Sequence, residues 1–182
     1  RHLERATALL LGPGWGLEET TRNFLAALLR GAARKSPGGR LGFVQPAGEG
    51  TDLEARPLPP LVIDADGLKL LAQVDGWPSL LPAPAILTPH PGEMAILTGL
   101  SVDEIQRSRL ETARRFAQTW GHVVVLKGAF TVVAAPDGRT TTIPVATPAL
   151  ARAGTGDVLA GLIVGLRAQG LEAYAAAIAG AW

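Results

Sequence analysis

The chain has 182 residues, 47% of them hydrophobic, a length and apolar share that suit one ordinary domain, or most of a larger one, with a substantial core. Its 17 basic residues against 16 acidic ones leave a net charge of +1 with no basic block, which argues against nucleic acid or an anionic membrane as the main partner. Cysteine is absent, excluding disulfides and thiolate metal sites; no apolar run reaches the roughly 20 residues of a membrane helix, and Arg1-His2-Leu3-Glu4-Arg5 lacks a signal-peptide pattern.

The chain alternates strand, turn and helix. Thr7–Leu11 reads as a buried strand ending in Gly12-Pro13-Gly14-Trp15-Gly16, then a helix from about Glu18 to Arg30. Ser36–Pro60, rich in glycine and proline, reads as a mobile surface insertion. Leu61–Ile63 is a short apolar strand ending at Asp64, followed by a helix near Leu68–Val74. Ala85–Leu87 ends at Thr88-Pro89-His90-Pro91 before a helix to about Thr98. One amphipathic helix is expected over Asp103–Trp120, with Ile105, Leu110, Ala113, Phe116 and Ala117 on one face. His122–Leu126 is a β-branched strand, and Thr131–Ala135 with Thr140–Ile143 reads as a hairpin across Pro136-Asp137-Gly138. An apolar helix runs from the Gly154–Asp157 turn to about Gln169. The early first strand and the stop at Ala181-Trp182 inside a helical pattern suggest a single domain over 1–182, incomplete at both ends.

Apolar strands alternating with helices predict a mostly parallel sheet covered on both faces, with ligands at the carboxyl ends of its strands. Gly14 and Gly16, Asp64 and Asp66, His90 and Glu93, and Lys127 and Gly128 all fall at such ends. The glycine turn is not a dinucleotide fingerprint, because Leu17 stands where G-x-G-x-x-G requires glycine. Asp64-Ala65-Asp66-Gly67 has the look of the first motif of haloacid-dehalogenase-type phosphatases, which would make Asp64 a nucleophile beside magnesium. That reading ranks second: Asp157 opens a helix where the family's last acid follows a strand, and no second acid appears until Glu172. Asp66 is expected to cap the following helix.

Pro91 and Glu93 suit the first and third helical positions after a His90 cap, and the flanking prolines suggest that His90 is aimed at a ligand. His2 and His122 have no metal-ligand spacing relative to it, so no metal ligand is assigned. Lys127 could meet a phosphate and Gly128 could let a nucleotide approach the backbone, although no P-loop occurs. Arg152-Ala153-Gly154-Thr155-Gly156-Asp157 is the most informative run. Glycines at a helix start expose backbone N–H groups to an anion, and the helix dipole adds positive potential there. An acid in that place repels a bound phosphate, so Asp157 makes chemical sense as the acceptor of a proton from an attacking hydroxyl; capping the helix is the alternative.

In order, the segments LGPGWG, VIDADGLKLL, LTPHPGEMAILTG, VVLKGAFTVVAAPDG and ALARAGTGDVLAGLIVGLRAQG, spanning Leu11 to Gly170, resemble the ADP/ATP-dependent NAD(P)H-hydrate dehydratases, a branch of the ribokinase-like superfamily. The resemblance implies a three-layer ribokinase-like α/β fold, a mostly parallel sheet with helices on both faces and a short hairpin after the Lys127 strand. It implies phosphoryl transfer from ADP or ATP to the ring hydroxyl of hydrated NADH or NADPH, then loss of phosphate. Asp157 would be catalytic, with Gly154, Thr155 and Gly156 as the anion hole. Gly14, Gly16, His90 and Asp157 would face the hydrated dinucleotide. Lys127, Gly128, Ala129, Phe130, Thr131 and Gly156 would hold the nucleotide, with Mg2+ bridging phosphates. A cytoplasmic homo-oligomer, a tetramer by resemblance, and a fused or separate epimerase domain are also implied. Thr147 departs from the family's usual Asn, Ser36–Pro60 is longer than the family's connection, and an earlier glycine-containing segment is missing. A ribokinase-like small-alcohol kinase of thiazole or pyridoxine type and a catalytically silent nucleotide-binding paralogue are the alternatives.

Overall fold

The computed structural model describes residues 5–33, 58–147 and 152–182. Residues 36–57 of the expected insertion lie outside them; Leu58–Pro60 lead into the second strand. One six-stranded sheet follows chain order: β1 (Leu9–Leu11), β2 (Leu61–Ile63), β3 (Ile86–Leu87), β4 (Val123–Leu126), β5 (Val132–Ala134) and β6 (Thr140–Thr142). The first four are parallel, with Leu10 opposite Val62, Val62 opposite Ile86, and Ile86 opposite Val123. β5 and β6 fold back antiparallel beside β4, as the hairpin pattern requires.

Each new parallel strand is added on the same side of the last, and parallel crossovers are right-handed, so their helices fall on one face. These are α1 (Glu19–Ala33), α2 (Asp66–Leu71), α3 (Trp77–Leu80), α4 (Pro91–Thr98), α5 (Val102–Arg107) and α6 (Arg109–Trp120). Their core includes Leu25, Leu29, Leu68 and Ile105 against Ile63, Leu87 and Val124. The opposite face of the same strands, Val62, Ile86 and Val125, is covered by α7 (Thr155–Ala168) and α8 (Ala173–Ala181) through Ala160, Ile163, Ala176 and Ala177. Alternation along each strand thus feeds two cores, and three layers result.

The long helix expected over Asp103–Trp120 is two helices. Ser101 caps α5 in a capping box with Glu104, and the chain breaks at Ser108 (φ −139°, ψ 46°) before α6 begins. The break resets the helical phase. Ile105, Ala113 and Ala117 are buried and Phe116 packs on Trp120, whereas Leu110 is 45% exposed.

The turns after β1 and β2 touch through glycine. Gly12 has φ +119°, and a Cβ there would stand 2.0 Å from the Asp64 carbonyl oxygen; one on Gly67 would stand 2.9 Å from the Gly12 Cα. This seam sets the turns after β1 and β2 against each other.

Candidate active site

The carboxyl ends of β1 to β4 and the first turn of α7 build the site. After β1, Gly16 (φ +73°) donates its N–H to Asp66 Oδ2 at 3.1 Å, and Lys69 Nζ donates to Asp66 Oδ1 at 3.1 Å. Asp66 is therefore not the cap of α2; Ala65 holds that position and makes no side-chain cap bond. A carboxylate in the first turn braces the glycine turn across 50 residues of sequence instead. Gly14 lies on the exposed side of that turn, with nothing within 4 Å of where a Cβ would sit.

After β3, His90 caps α4: its Nδ1 accepts from Gly92 N–H (3.0 Å) and Glu93 N–H (3.3 Å). Glu93 Oε2 accepts in return from His90 N–H at 2.9 Å, completing the capping box expected from the sequence. The His90 ring stays half exposed, with Nε2 3.3 Å from Glu93 Oε1.

After β4, Lys127 reaches back under the sheet ends. Its Nζ donates to Asp64 Oδ1 at 2.6 Å and lies 3.6 Å from Glu93 Oε2, and both carboxylates are almost wholly buried. Asp64 is thus ion-paired and enclosed, the opposite of what a nucleophile facing a substrate needs. Its second oxygen, Oδ2, is buried without a hydrogen-bond partner among the described residues. Behind the loop, Arg109 Nη2 donates to the carbonyls of Leu126 (2.9 Å) and Lys127 (3.3 Å), and burial lowers its pKa. Gly128 (φ +150°) packs on that guanidinium, and Thr131 Oγ1 closes the turn on the Gly128 carbonyl. Ala129 and Phe130 form its exposed tip, Phe130 in the left-handed region at φ 57°.

Gly154 (φ +90°) is the N-cap of α7 and no side chain caps the helix, so Asp157, third in the helix and exposed, has no capping role. Thr155 N–H and Oγ1 both donate to the Arg152 carbonyl. The N–H groups of Gly154, Gly156 and Asp157 have no acceptor among the described residues; of the expected anion hole, the Thr155 N–H is engaged, and the Asp157 N–H lies open next to it. A Cβ on Gly156 would stand 3.6 Å from Lys127 Nζ and 3.8 Å from Asp64 Oδ2. The helix start therefore abuts the Asp64–Lys127 pair. Four elements meet there: β2, α4, β4 and α7.

Two features escaped the sequence reading. Glu93 serves the cap and the lysine together, and Arg109 braces the Lys127–Thr131 turn. Glu93 was visible as a cap residue only, and no local pattern marks Arg109. His122 is structural, its Nδ1 accepting from Ala85 N–H and its Nε2 bonded to the Pro78 carbonyl. Among the described residues, no group of three His, Cys, Asp or Glu could hold a metal ion, and no helix is long and apolar enough to cross a membrane.

A mostly parallel six-stranded sheet covered by helices on both faces, with polar turns at its strand ends, is the architecture of a ribokinase-like α/β domain. The chain is similar in structure to a ribokinase-like superfamily protein of Enterococcus faecalis V583 (TM-score 0.70, 26% identity, 98% of this chain and 53% of that one). A family model described as NAD(P)H-hydrate dehydratase matches residues 45–182, and the chain belongs to that family. It is 41% identical over 177 residues to the bifunctional NAD(P)H-hydrate repair enzyme Nnr of Salinibacter ruber, covering 97% of this chain and 28% of that one. It is similar in structure to the Bacillus subtilis ADP/ATP-dependent NAD(P)H-hydrate dehydratase co-crystallized with ATP/Mg2+ (TM-score 0.71, 30% identity, 97% of this chain and 52% of that one). The matches span 23% to 28% of the length of three bifunctional relatives.

Proposed function

We propose that this protein catalyses the ADP- or ATP-dependent dehydration of hydrated NADH and NADPH, a repair reaction of nicotinamide nucleotides. The observation that carries this reading is the start of α7, where Asp157 is exposed, the Gly156 and Asp157 N–H groups have no acceptor among the described residues, and Gly156 adjoins Lys127. The ring hydroxyl attacks the terminal phosphorus of the nucleotide while Asp157 takes its proton, and the phosphorus–bridging-oxygen bond breaks to release AMP from ADP or ADP from ATP. The N–H groups of Gly156 and Asp157 stabilise charge on the transferring phosphoryl, aided by the helix dipole and the Lys127 ammonium. Phosphate then departs with the carbon–oxygen bonding pair as the ring nitrogen donates its lone pair, and loss of a proton from the adjacent carbon restores the double bond.

Gly14, Gly16 and His90 would line the dinucleotide side, and Lys127–Thr131 the nucleotide side. The described residues do not form a magnesium cage, so the ion would enter on the nucleotide phosphates as part of a co-substrate. The same reading takes residues 1–182 as one dehydratase domain with an insertion at 36–60, acting in the cytoplasm as a homo-oligomer, with an epimerase domain fused or separate.

The test is incubation with hydrated NADH and either ADP or ATP. Recovery of the near-ultraviolet absorbance of NADH together with released phosphate is expected. A stable phosphorylated product would make it a small-alcohol kinase, and folded protein inert with both nucleotides would make it a silent paralogue.

A further inference from the structure

We propose that Lys127 is a built-in cation: its ammonium fills the seat between the buried carboxylates of Asp64 and Glu93, the place a divalent ion would otherwise take. The chain by itself then binds no magnesium. β2, α4 and β4 deliver the three groups, with Nζ 2.6 Å from Asp64 Oδ1 and 3.6 Å from Glu93 Oε2. The side chains of Asp64 and Glu93 are 1% and 4% exposed, so neither carboxylate has water to fall back on. Burying them without a counter-charge is costly, and the lysine supplies it.

A magnesium ion would need near-octahedral oxygen ligands and retained waters, whereas an ammonium needs only acceptors for its three N–H groups. The close Nζ–Oδ1 contact leaves no space for an ion between lysine and aspartate. The remaining Asp64 oxygen is buried, unpartnered among the described residues, and lies beside Gly156, where α7 begins. The seat therefore opens toward the phosphate cradle and presents a fixed positive charge to it. That last step, contact between Lys127 and the transferring phosphoryl, rests on the dehydratase reading; the metal-binding claim does not.

Nucleotide-free protein titrated with Mn2+ and followed by electron paramagnetic resonance tests the claim. The wild type and Lys127→Arg should leave Mn2+ free. Lys127→Met should gain one site per chain, at least about tenfold tighter than any wild-type binding, and lose it again when Asp64→Asn is added. A nucleotide-free wild-type site that Asp64→Asn removes would overturn the proposal, as would a folded Lys127→Met that gains none. If Lys127→Met folds only with Mn2+ present, the proposal stands. If it folds in neither condition, the other two proteins decide: a site in either overturns the claim and its absence from both sustains it. Failure of NADH recovery alongside these Mn2+ results would remove only the dehydratase reading.

Discussion

Asp157 and Asp66 are both first-turn aspartates, yet their surroundings give them different work. Asp157 is exposed in a first turn whose Gly156 and Asp157 N–H groups lack acceptors among the described residues, so its charge would oppose an anion drawn to that helix end. Asp157→Asn should lower kcat by about 10²- to 10⁴-fold, the usual worth of a positioned general base, and leave nucleotide affinity unchanged or tighter. Phosphate release and equilibrium binding of ADP measure the two separately; parallel losses in both would assign Asp157 to binding instead. Asp66 holds the Gly16 N–H and Lys69, and it has no cradle beneath it. Asp66→Ala should cost about 1 kcal/mol and raise KM for the hydrated dinucleotide with little change in kcat, because only the turn loosens. Steady-state kinetics would expose the opposite split. The open helix start at Asp157 was legible in its neighbours, since two glycines around a threonine leave no side chain well placed to cap it. The role of Asp66 was not, because its partner lies 50 residues earlier and only the fold joins them.

Short apolar strands that end in glycine, threonine or a charged residue made the parallel sheet readable, and Pro136-Asp137-Gly138 marked the β5–β6 hairpin. The α5–α6 break was hidden because Ser108 carries no breaker signal, and the apolar spacing on either side looked continuous. The glycine seam was hidden for another reason: the sequence shows glycines but not which backbone they meet. Gly67→Ala would place a methyl group 2.8 Å from the Leu11 carbonyl and 2.9 Å from the Gly12 Cα, both backbone atoms of a neighbouring element. Such overpacking should destabilise by about 1–3 kcal/mol and separate the turns after β1 and β2. Gly99, at φ +75° with open space around it, is the comparison. Its alanine variant should lose only the roughly 1–2 kcal/mol of a left-handed alanine and leave the site intact. Melting temperatures read the stability change and nucleotide binding reads the turn geometry; binding lost in Gly99→Ala and kept in Gly67→Ala would refute the seam's role.

Across the whole molecule, the candidate site gathers at the carboxyl ends of the strands while a separate device fastens the amino ends. His122, immediately before β4, joins α3 to the start of β3 by accepting from Ala85 N–H at 3.2 Å and bonding the Pro78 carbonyl at 2.9 Å, with its ring stacked on Trp77. These bonds require the neutral ring, with the proton on Nε2. Protonating Nδ1 would break the bond from Ala85, and burial already lowers the His122 pKa below its ordinary 6.5. Between the lowered folded value and the ordinary unfolded one, the unfolded chain therefore binds more protons than the folded one. The histidine's contribution to stability is full above about pH 6.5 and is lost as pH falls through the folded value. Urea midpoints should accordingly drop from about pH 7 to about pH 5 in the wild type, with a shallower drop in His122→Gln, which cannot take up a proton there. Equal slopes in the two proteins would refute the assignment. The two ends of the sheet are a full strand apart, so His122→Gln should leave the pH profile of NADH recovery where the wild type has it; the acid sensitivity of the fold and that of the reaction belong to different residues.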